Sequence, residues 1–341
     1  MKISWDMVVT KTLTRRQRIM KAIITKKYGP PEVATIQEIE KPIPKENEVL
    51  VKVLATPVTS GDARIRGLNV PFGFKFITKL MFGFKGPKNP VLGVVFSGIV
   101  EESGGKVTAF SKGDAVFGSK EGFGCHAEYL VIKENGAIVH KPEKVSHEEA
   151  SSIPFGALTS LKYLRDFGKI KKGQKILING ASGALGVYGV QLAKYFGAEV
   201  TGVCSTSNVE LVKSLGADHV IDYKKEDFTE NPETYNIIYD TVGKLEFSKC
   251  KASLNKNGTI LLAAAGLKEY SQVMSTSISG SKKVVAGVAI FKKEDLKVVS
   301  ELVELDHIKP VIGRRFKFSE IVEAYTYVDG GHKVASAVLK L

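Results

Sequence analysis

The sequence predicts an α/β protein in which a β-barrel-like domain is followed by a doubly wound parallel-sheet domain. Three observations carry that prediction. The chain has 341 residues, too many for one ordinary core and about right for two domains. Near Glu148 its hydrophobic rhythm changes from short strands broken by turn residues to an alternation of strand and helix. Over residues 175–186 a strand runs straight into a glycine-spaced turn and then a helix.

Taken in order, residues 1–19 form an N-terminal extension. They hold Lys2, Lys11, Arg15, Arg16 and Arg18 against the single acid Asp6. An upstream start or an unstructured extension is the first reading. A targeting peptide is the alternative, because such peptides are Arg-rich and acid-poor, although the apolar core of a secretory signal is missing and serine is sparse. Residues 20–147 make the first domain. A strand over 22–27 leads into the turn Tyr28-Gly29-Pro30-Pro31. Residues 48–55 alternate, with Val49, Val51 and Val53 on one face, and further strands fall at 91–102, 114–117 and 127–132. No helix-period stretch of normal length is expected between them.

Residues 148–290 make the second domain. Strands are expected at 175–179, 199–204, 219–221, 235–241, 258–264 and 283–289. A helix over 184–196 places Leu185, Val190, Leu192 and Ala193 at helical spacing, and another over 209–215 is closed by Gly216. Such alternation means βαβ units and a parallel sheet covered on both faces. Residues 291–341 contribute a helix over 293–305 and a final strand over 335–341.

The turn is the strongest local signal. It reads Asn179-Gly180-Ala181-Ser182-Gly183-Ala184-Leu185-Gly186-Val187. Gly180 permits the tight bend, Gly183 lets backbone approach a pyrophosphate, and Gly186 lets helix and strand pack closely. An anion there meets free amides at a helix N-terminus, where the dipole favours negative charge. The next strand then indicates which dinucleotide binds. An NAD site usually ends that strand in Asp or Glu to hold the ribose hydroxyls, whereas here Ser205, Thr206, Ser207 and Asn208 follow, with no acid until Glu210. Hydroxyls suit a 2′-phosphate, and Tyr223, with Lys224 and Lys225, is placed to close over it. NADPH is the expected cofactor. Ser207 and Asn208 are also suited to capping the following helix.

Composition narrows the partners. No apolar run reaches the roughly 20 residues of a membrane helix, so no spanning segment and no membrane partner is expected. The net charge of +13 raises nucleic acid as a partner, but the lysines are scattered and not interleaved with aromatics. Cys125, Cys204 and Cys250 are far apart and form neither a CxxC pair nor a disulfide framework, which fits a cytoplasmic location.

These residues, in this order, resemble the medium-chain dehydrogenase/reductase superfamily, in its zinc-independent, zeta-crystallin-like quinone oxidoreductase branch. The landmarks run from Gly29-Pro30-Pro31-Glu32-Val33 through Thr59-Ser60-Gly61-Asp62, Gly113-Asp114-Ala115-Val116-Phe117-Gly118, Ala127-Glu128-Tyr129 and Pro154-Phe155-Gly156-Ala157-Leu158-Thr159-Ser160. Beyond the glycine turn come Leu215-Gly216-Ala217-Asp218 and Asp240-Thr241-Val242-Gly243. The resemblance implies a GroES-like catalytic domain, a Rossmann domain, a C-terminal return to the first, and a nicotinamide cleft between them. It implies that Val242, Ala264 and Gly266 line the cofactor and that Thr159 lies beside the nicotinamide. Zinc relatives carry cysteine where this chain has Thr59 and Gly-His-Glu where it has Gly93-Val94-Val95. The structural zinc lobe is absent, so no metal is expected. Cys125-His126 reads as wall or packing.

The implied reaction is hydride transfer from NADPH to a quinone or to the activated double bond of an enone. Charge then grows on a carbonyl oxygen, and Thr59 and Arg64 are the candidate donors. Asp62 reads as an anchor for backbone amides. The stretch 69–90, with Phe72, Phe74, Phe76, Phe82 and Phe84, reads either as an apolar lid or as an insertion packed on its own domain or on a partner subunit. A homodimer is expected. The rival readings are a non-catalytic NADPH-binding sensor or scaffold and a zinc-free carbonyl reductase.

Overall fold

A computed structural model describes residues 19–70, 73–278 and 281–341. β1 (Ile19–Thr25) and β2 (Ala34–Glu40) form an antiparallel pair. β3 (Glu48–Val58), β4 (Val95–Ser103), β5 (Ala115–Ser119) and β7 (Ile138–His140) lie side by side in one antiparallel sheet, and β6 (Tyr129–Lys133) pairs with β3. The alternation in β3 turns Val49, Val51 and Val53 inward onto Phe96, Val100 and Val116. Each such side chain removed from water stabilises by about 1.5–3 kcal/mol.

Two helices interrupt these strands, contrary to the expectation of none: α1 (Ser60–Gly67) and α2 (Lys75–Phe82). α1 escaped because it carries little apolar periodicity and is set by a cap instead. The Thr59 side chain accepts from the Asp62 amide while the Asp62 side chain accepts from the Thr59 amide. α2 was not separated from the aromatic run around it, although Phe76, Ile77, Leu80 and Met81 recur at helical spacing. Phe72 lies outside the described residues.

The second sheet is reached through α3 (His147–Leu161), opened by a Ser146/Glu149 capping box and prolonged by a π-turn at Lys162–Phe167. Then follow β8 (Lys175–Asn179), α4 (Gly186–Tyr195), β9 (Glu199–Cys204), α5 (Val209–Ser214), β10 (His219–Asp222), β11 (Tyr235–Asp240), α6 (Phe247–Cys250), β12 (Leu254–Leu262), α7 (Leu267–Ile278) and β13 (Lys283–Ala286). The strands are parallel in the order β10-β9-β8-β11-β12-β13. This is the dinucleotide-binding order, whose direction reverses between β8 and β11. Ile176, Leu177 and Ile178 of β8 are all fully buried, as a strand covered on both faces requires.

α8 (Lys293–Glu304) buries Leu296, Val299, Leu302 and Val303. β14 (Ile312–Lys317), α9 (Ile321–Asp329) and β15 (Ser336–Lys340) complete the chain. β15 lies antiparallel on β3, so the C-terminal segment rejoins the first sheet. No helix among the described residues is long and apolar enough to cross a membrane.

Candidate active site

The reversal point between β8 and β11 opens a crevice at the carboxyl ends of the strands, where ligands of such sheets bind. Gly180 takes φ +80°, which an L side chain rarely adopts. A Cβ on Gly186 would lie 2.7 Å from the backbone of Ala181 and inside Gly180 O. Gly183 differs: a Cβ there would meet only Gly180 O, at 3.3 Å, and otherwise empty space. That space is a cradle a side chain would fill. Val187 donates to Gly183 O at 3.0 Å and Gly189 to Leu185 O at 2.8 Å, so Ala184, Leu185 and Gly186 precede the first helical donors. Their amides and the helix dipole suit a pyrophosphate.

The remaining residues expected around the cofactor gather along the same edge. After β9, Asn208 Nδ2 donates to Ser182 Oγ and to Ser205 Oγ, both at 3.1 Å, and Ser205 and Ser207 hydroxyls lie 3.2 Å apart. Asn208 therefore ties hydroxyls together and makes no side-chain cap on α5. Val242 and Gly243 follow β11, where Asp240 accepts from the amides of residues 242–245 and from Asn179 Nδ2. Ala264 faces Gly243, and the Gly266 amide donates to Glu269 at 2.8 Å. Tyr223 is exposed just after β10.

Thr206 is engaged by a neighbouring strand. Its hydroxyl donates to Asp222 Oδ2 at 2.6 Å, which holds the Asp222 carboxyl below the usual range. The proton is committed, and a carboxylate that the sequence showed no acid for stands beside the β9 end. It is there because Asp222 pairs in register with Cys204.

On the catalytic side, α1 and α3 face each other. A Cβ on Gly61 would lie 3.4 Å from Thr59 Oγ and 3.8 Å from the Phe155 ring. One turn beyond Phe155, Thr159 Oγ donates to Phe155 O at 2.6 Å. α3 also presses on the glycine turn: Ser160 Oγ donates to Leu185 O at 2.9 Å, and a Cβ on Gly156 would collide with Ala184 O. One helix thus carries Thr159 and packs on the glycine turn.

Thr59 is engaged by the helix it opens. Its hydroxyl donates to Asp62 Oδ2 at 2.6 Å and accepts the Asp62 amide at 3.1 Å. In this structure Thr59 caps α1 and its proton is directed at Asp62. Asp62 is fully buried and accepts the amides of Thr59 and Gly93, the anchoring role read from the sequence. Arg64, on the last turn of α1, has its side chain open to water, yet nearby protein strips enough solvent to lower its pKa.

Arg66, in contrast, is buried against Gly29 O, Asp329 and the Tyr325 ring and is structural. Lys333 was missed. Burial pushes its ammonium down to about 8, against the pull of Asp62. The Ala335 amide two residues on donates to Ser182 O at 2.8 Å, which fastens the C-terminal segment to the glycine turn. No sequence motif marks that lysine.

Thr59, Val94 and Val95 offer no metal ligand. Among the described residues, no group of three or more His, Cys, Asp or Glu could hold a metal ion. His126 lies against Gly93 with Nε2 3.1 Å from Pro57 O, and Cys125 is a buried thiol whose pKa burial raises. A surface depression lined by Lys41, Glu101 and Lys112 contains none of these residues.

Comparison with known proteins agrees with this architecture. Residues 45–143 match the alcohol dehydrogenase GroES-like domain, and residues 215–339 match a family described as zinc-binding dehydrogenase. The chain is 32% identical to the mouse mitochondrial NAD(P)H oxidoreductase RTN4IP1, over 97% of this chain and 91% of the relative. It is 30% identical to the tomato 2-methylene-furan-3-one reductase, over 94% and 79%. A quinone oxidoreductase structure from Coxiella burnetii superposes with a TM-score of 0.84 at 29% identity, covering 95% of this chain and 99% of the other. The chain belongs to the medium-chain dehydrogenase/reductase superfamily.

Proposed function

We propose that this member of the superfamily is a zinc-independent oxidoreductase that uses NADPH to reduce a quinone or the activated double bond of an enone. The observation that carries the reading is the open cradle at Gly183, set at the reversal point of the sheet and faced by α1 and α3. Its shape and amides fit a dinucleotide pyrophosphate. The similarity to a quinone oxidoreductase and to a furanone reductase supports the substrate class.

The Ala184–Gly186 amides would hold the pyrophosphate, and Ser205 and Ser207, steadied by Asn208, would receive the 2′-phosphate. Lys224 and Lys225 add positive charge there, offsetting Asp222, which Thr206 already occupies. Val242, Ala264 and Gly266 would wall the nicotinamide side, with Thr159 on the opposite helix. NADPH, when bound, supplies the hydride. Arg64 meets the negative charge that grows on the substrate oxygen, since Thr59 is engaged by Asp62. Placed in water-accessible protein, its guanidinium donates without surrendering a proton.

Purified protein assayed with NADPH against quinones, enones and aldehydes tests the reading. Turnover with quinones or enones and little with aldehydes is expected. NADPH binding without turnover of any acceptor would replace it with a non-catalytic role.

A further inference from the structure

Most apolar helical stripes face a core. That of α2 faces water. Phe76, Ile77, Leu80 and Met81 are 68, 44, 56 and 62% exposed, while the residue turned inward is Thr78. Phe84, just past the helix, is 59% exposed with its ring 6.5 Å from that of Phe76. The fold holds this stripe out: Phe82 packs on Phe123 at 5.7 Å, and Lys79 O accepts the Gly83 amide at 2.8 Å.

The charge around the stripe is one-signed. Apart from the buried Arg66, which pairs with Asp329, the charged residues between Ala63 and Val100 are Arg64, Lys75, Lys79, Lys85 and Lys88, a span with no Asp or Glu. The patch also adjoins the cofactor edge. Gly73 sits against Leu267 at the head of α7, and the Phe74 ring lies 6.0 Å from that of Tyr270. Leu267 is half exposed and directly follows Gly266.

We propose that the outward face of α2, with Phe84 and Leu267, docks the protein on a lipid bilayer bearing anionic headgroups. Phenylalanine, leucine and methionine enter the headgroup boundary while flanking lysines extend to the phosphates. Two other occupants fit less well. A second copy meeting the same face would bring the cations of one span against those of the other, with no acid between them. A protein partner selects against lysine in the contact, whereas here lysines frame it. The inference extends the quinone reading: docking would open the cleft toward the phase in which apolar quinones dissolve. It also departs from the expectation of no membrane partner.

Flotation of the full chain with phosphatidylcholine vesicles, pure or with about one quarter phosphatidylglycerol, tests it. The parent should float with the anionic vesicles, less so as salt rises. Lys75→Glu with Lys79→Glu, and separately Phe76→Ser with Leu80→Ser, should each lower partitioning at least about tenfold. Turnover of a short water-soluble quinone should not change, because these side chains lie outside the cleft. Absence of flotation overturns the proposal, as does flotation indifferent to anionic lipid and to both variants. A parent that ignores vesicles but sediments as a larger species, reduced by Phe76→Ser with Leu80→Ser, assigns the face to self-association and overturns it too. Flotation without turnover of any quinone would instead remove the quinone reading and leave the docking surface standing.

Discussion

Replacing Gly183 or Gly186 by alanine adds one methyl to either end of the same turn, yet the structure assigns the two methyls different consequences. At Gly186 the methyl would lie 2.7 Å from Ala181 and within Gly180 O, both backbone, where ordinary contact begins at 3.4 Å. Strand and helix must part by at least about 0.7 Å, and overpacking of this kind costs roughly 1–3 kcal/mol. In a chain of this size that lowers Tm by roughly 1–4 °C. At Gly183 the one close neighbour is Gly180 O at 3.3 Å, and φ is not positive, so folding tolerates the methyl. Removing a glycine's freedom from the unfolded chain even favours the fold, by about 0.4–1 kcal/mol. The methyl would occupy the space kept for the pyrophosphate, so NADPH should bind at least about tenfold more weakly, roughly 1.4 kcal/mol. Differential scanning fluorimetry gives the stabilities and fluorescence titration the affinities. A Gly183→Ala protein that binds NADPH like the parent would refute the cradle. A Gly186→Ala protein of unchanged Tm would refute the packing argument.

Other consequences can be measured separately. NADPH should bind at least about tenfold tighter than NADH, and Ser205→Asp should reverse the order; equal affinities in the parent would end the 2′-phosphate assignment. Arg64→Ala should lower kcat about 10²–10³-fold if the guanidinium meets charge on the substrate oxygen, whereas a raised KM for NADPH at unchanged kcat would move it to the cofactor phosphates. Lys333 has a folded pKa of about 8 against an ordinary value of 10.5. The folded state thus binds fewer protons between those values, and its stability rises with pH across that window. Lys333→Met should therefore stabilise at pH 7, by roughly 1–3 kcal/mol given a half-buried side chain, and the gain should fade from about pH 8 and be lost above about pH 10.5; a gain independent of pH would reject the buried ammonium. Chelators should leave turnover unchanged, and one tightly held zinc per chain by elemental analysis would contradict the valines at 94 and 95.

Much of the fold was legible because its signals are local. The strands Lys175–Asn179 and Glu199–Cys204 occur at their expected bounds, since a buried parallel strand is a short apolar run between turn residues. The glycine turn was legible because a positive φ and close backbone contact each exclude a side chain at one position. α3 was harder to see because Pro154 and Gly156 break its pattern, although its capping box and its packing on the glycine turn hold it. The polar helix α1 lacked the apolar period on which a reading of sequence depends.

By itself the sequence determined the two-domain architecture, the glycine turn and the valines at 94 and 95, each of which depends on the identity of residues near one another in the chain. Tertiary structure decided where protons and charges are spent. It set Asp222 against Thr206 through the β9–β10 register, closed Thr59 onto Asp62, and fastened Ala335, two residues past Lys333, to the glycine turn. It also turned the apolar side of α2 outward, which periodicity alone would have placed in the core. A hydroxyl has a single proton and a helix has two sides, and which partner or which side prevails is fixed by neighbours that chain separation conceals.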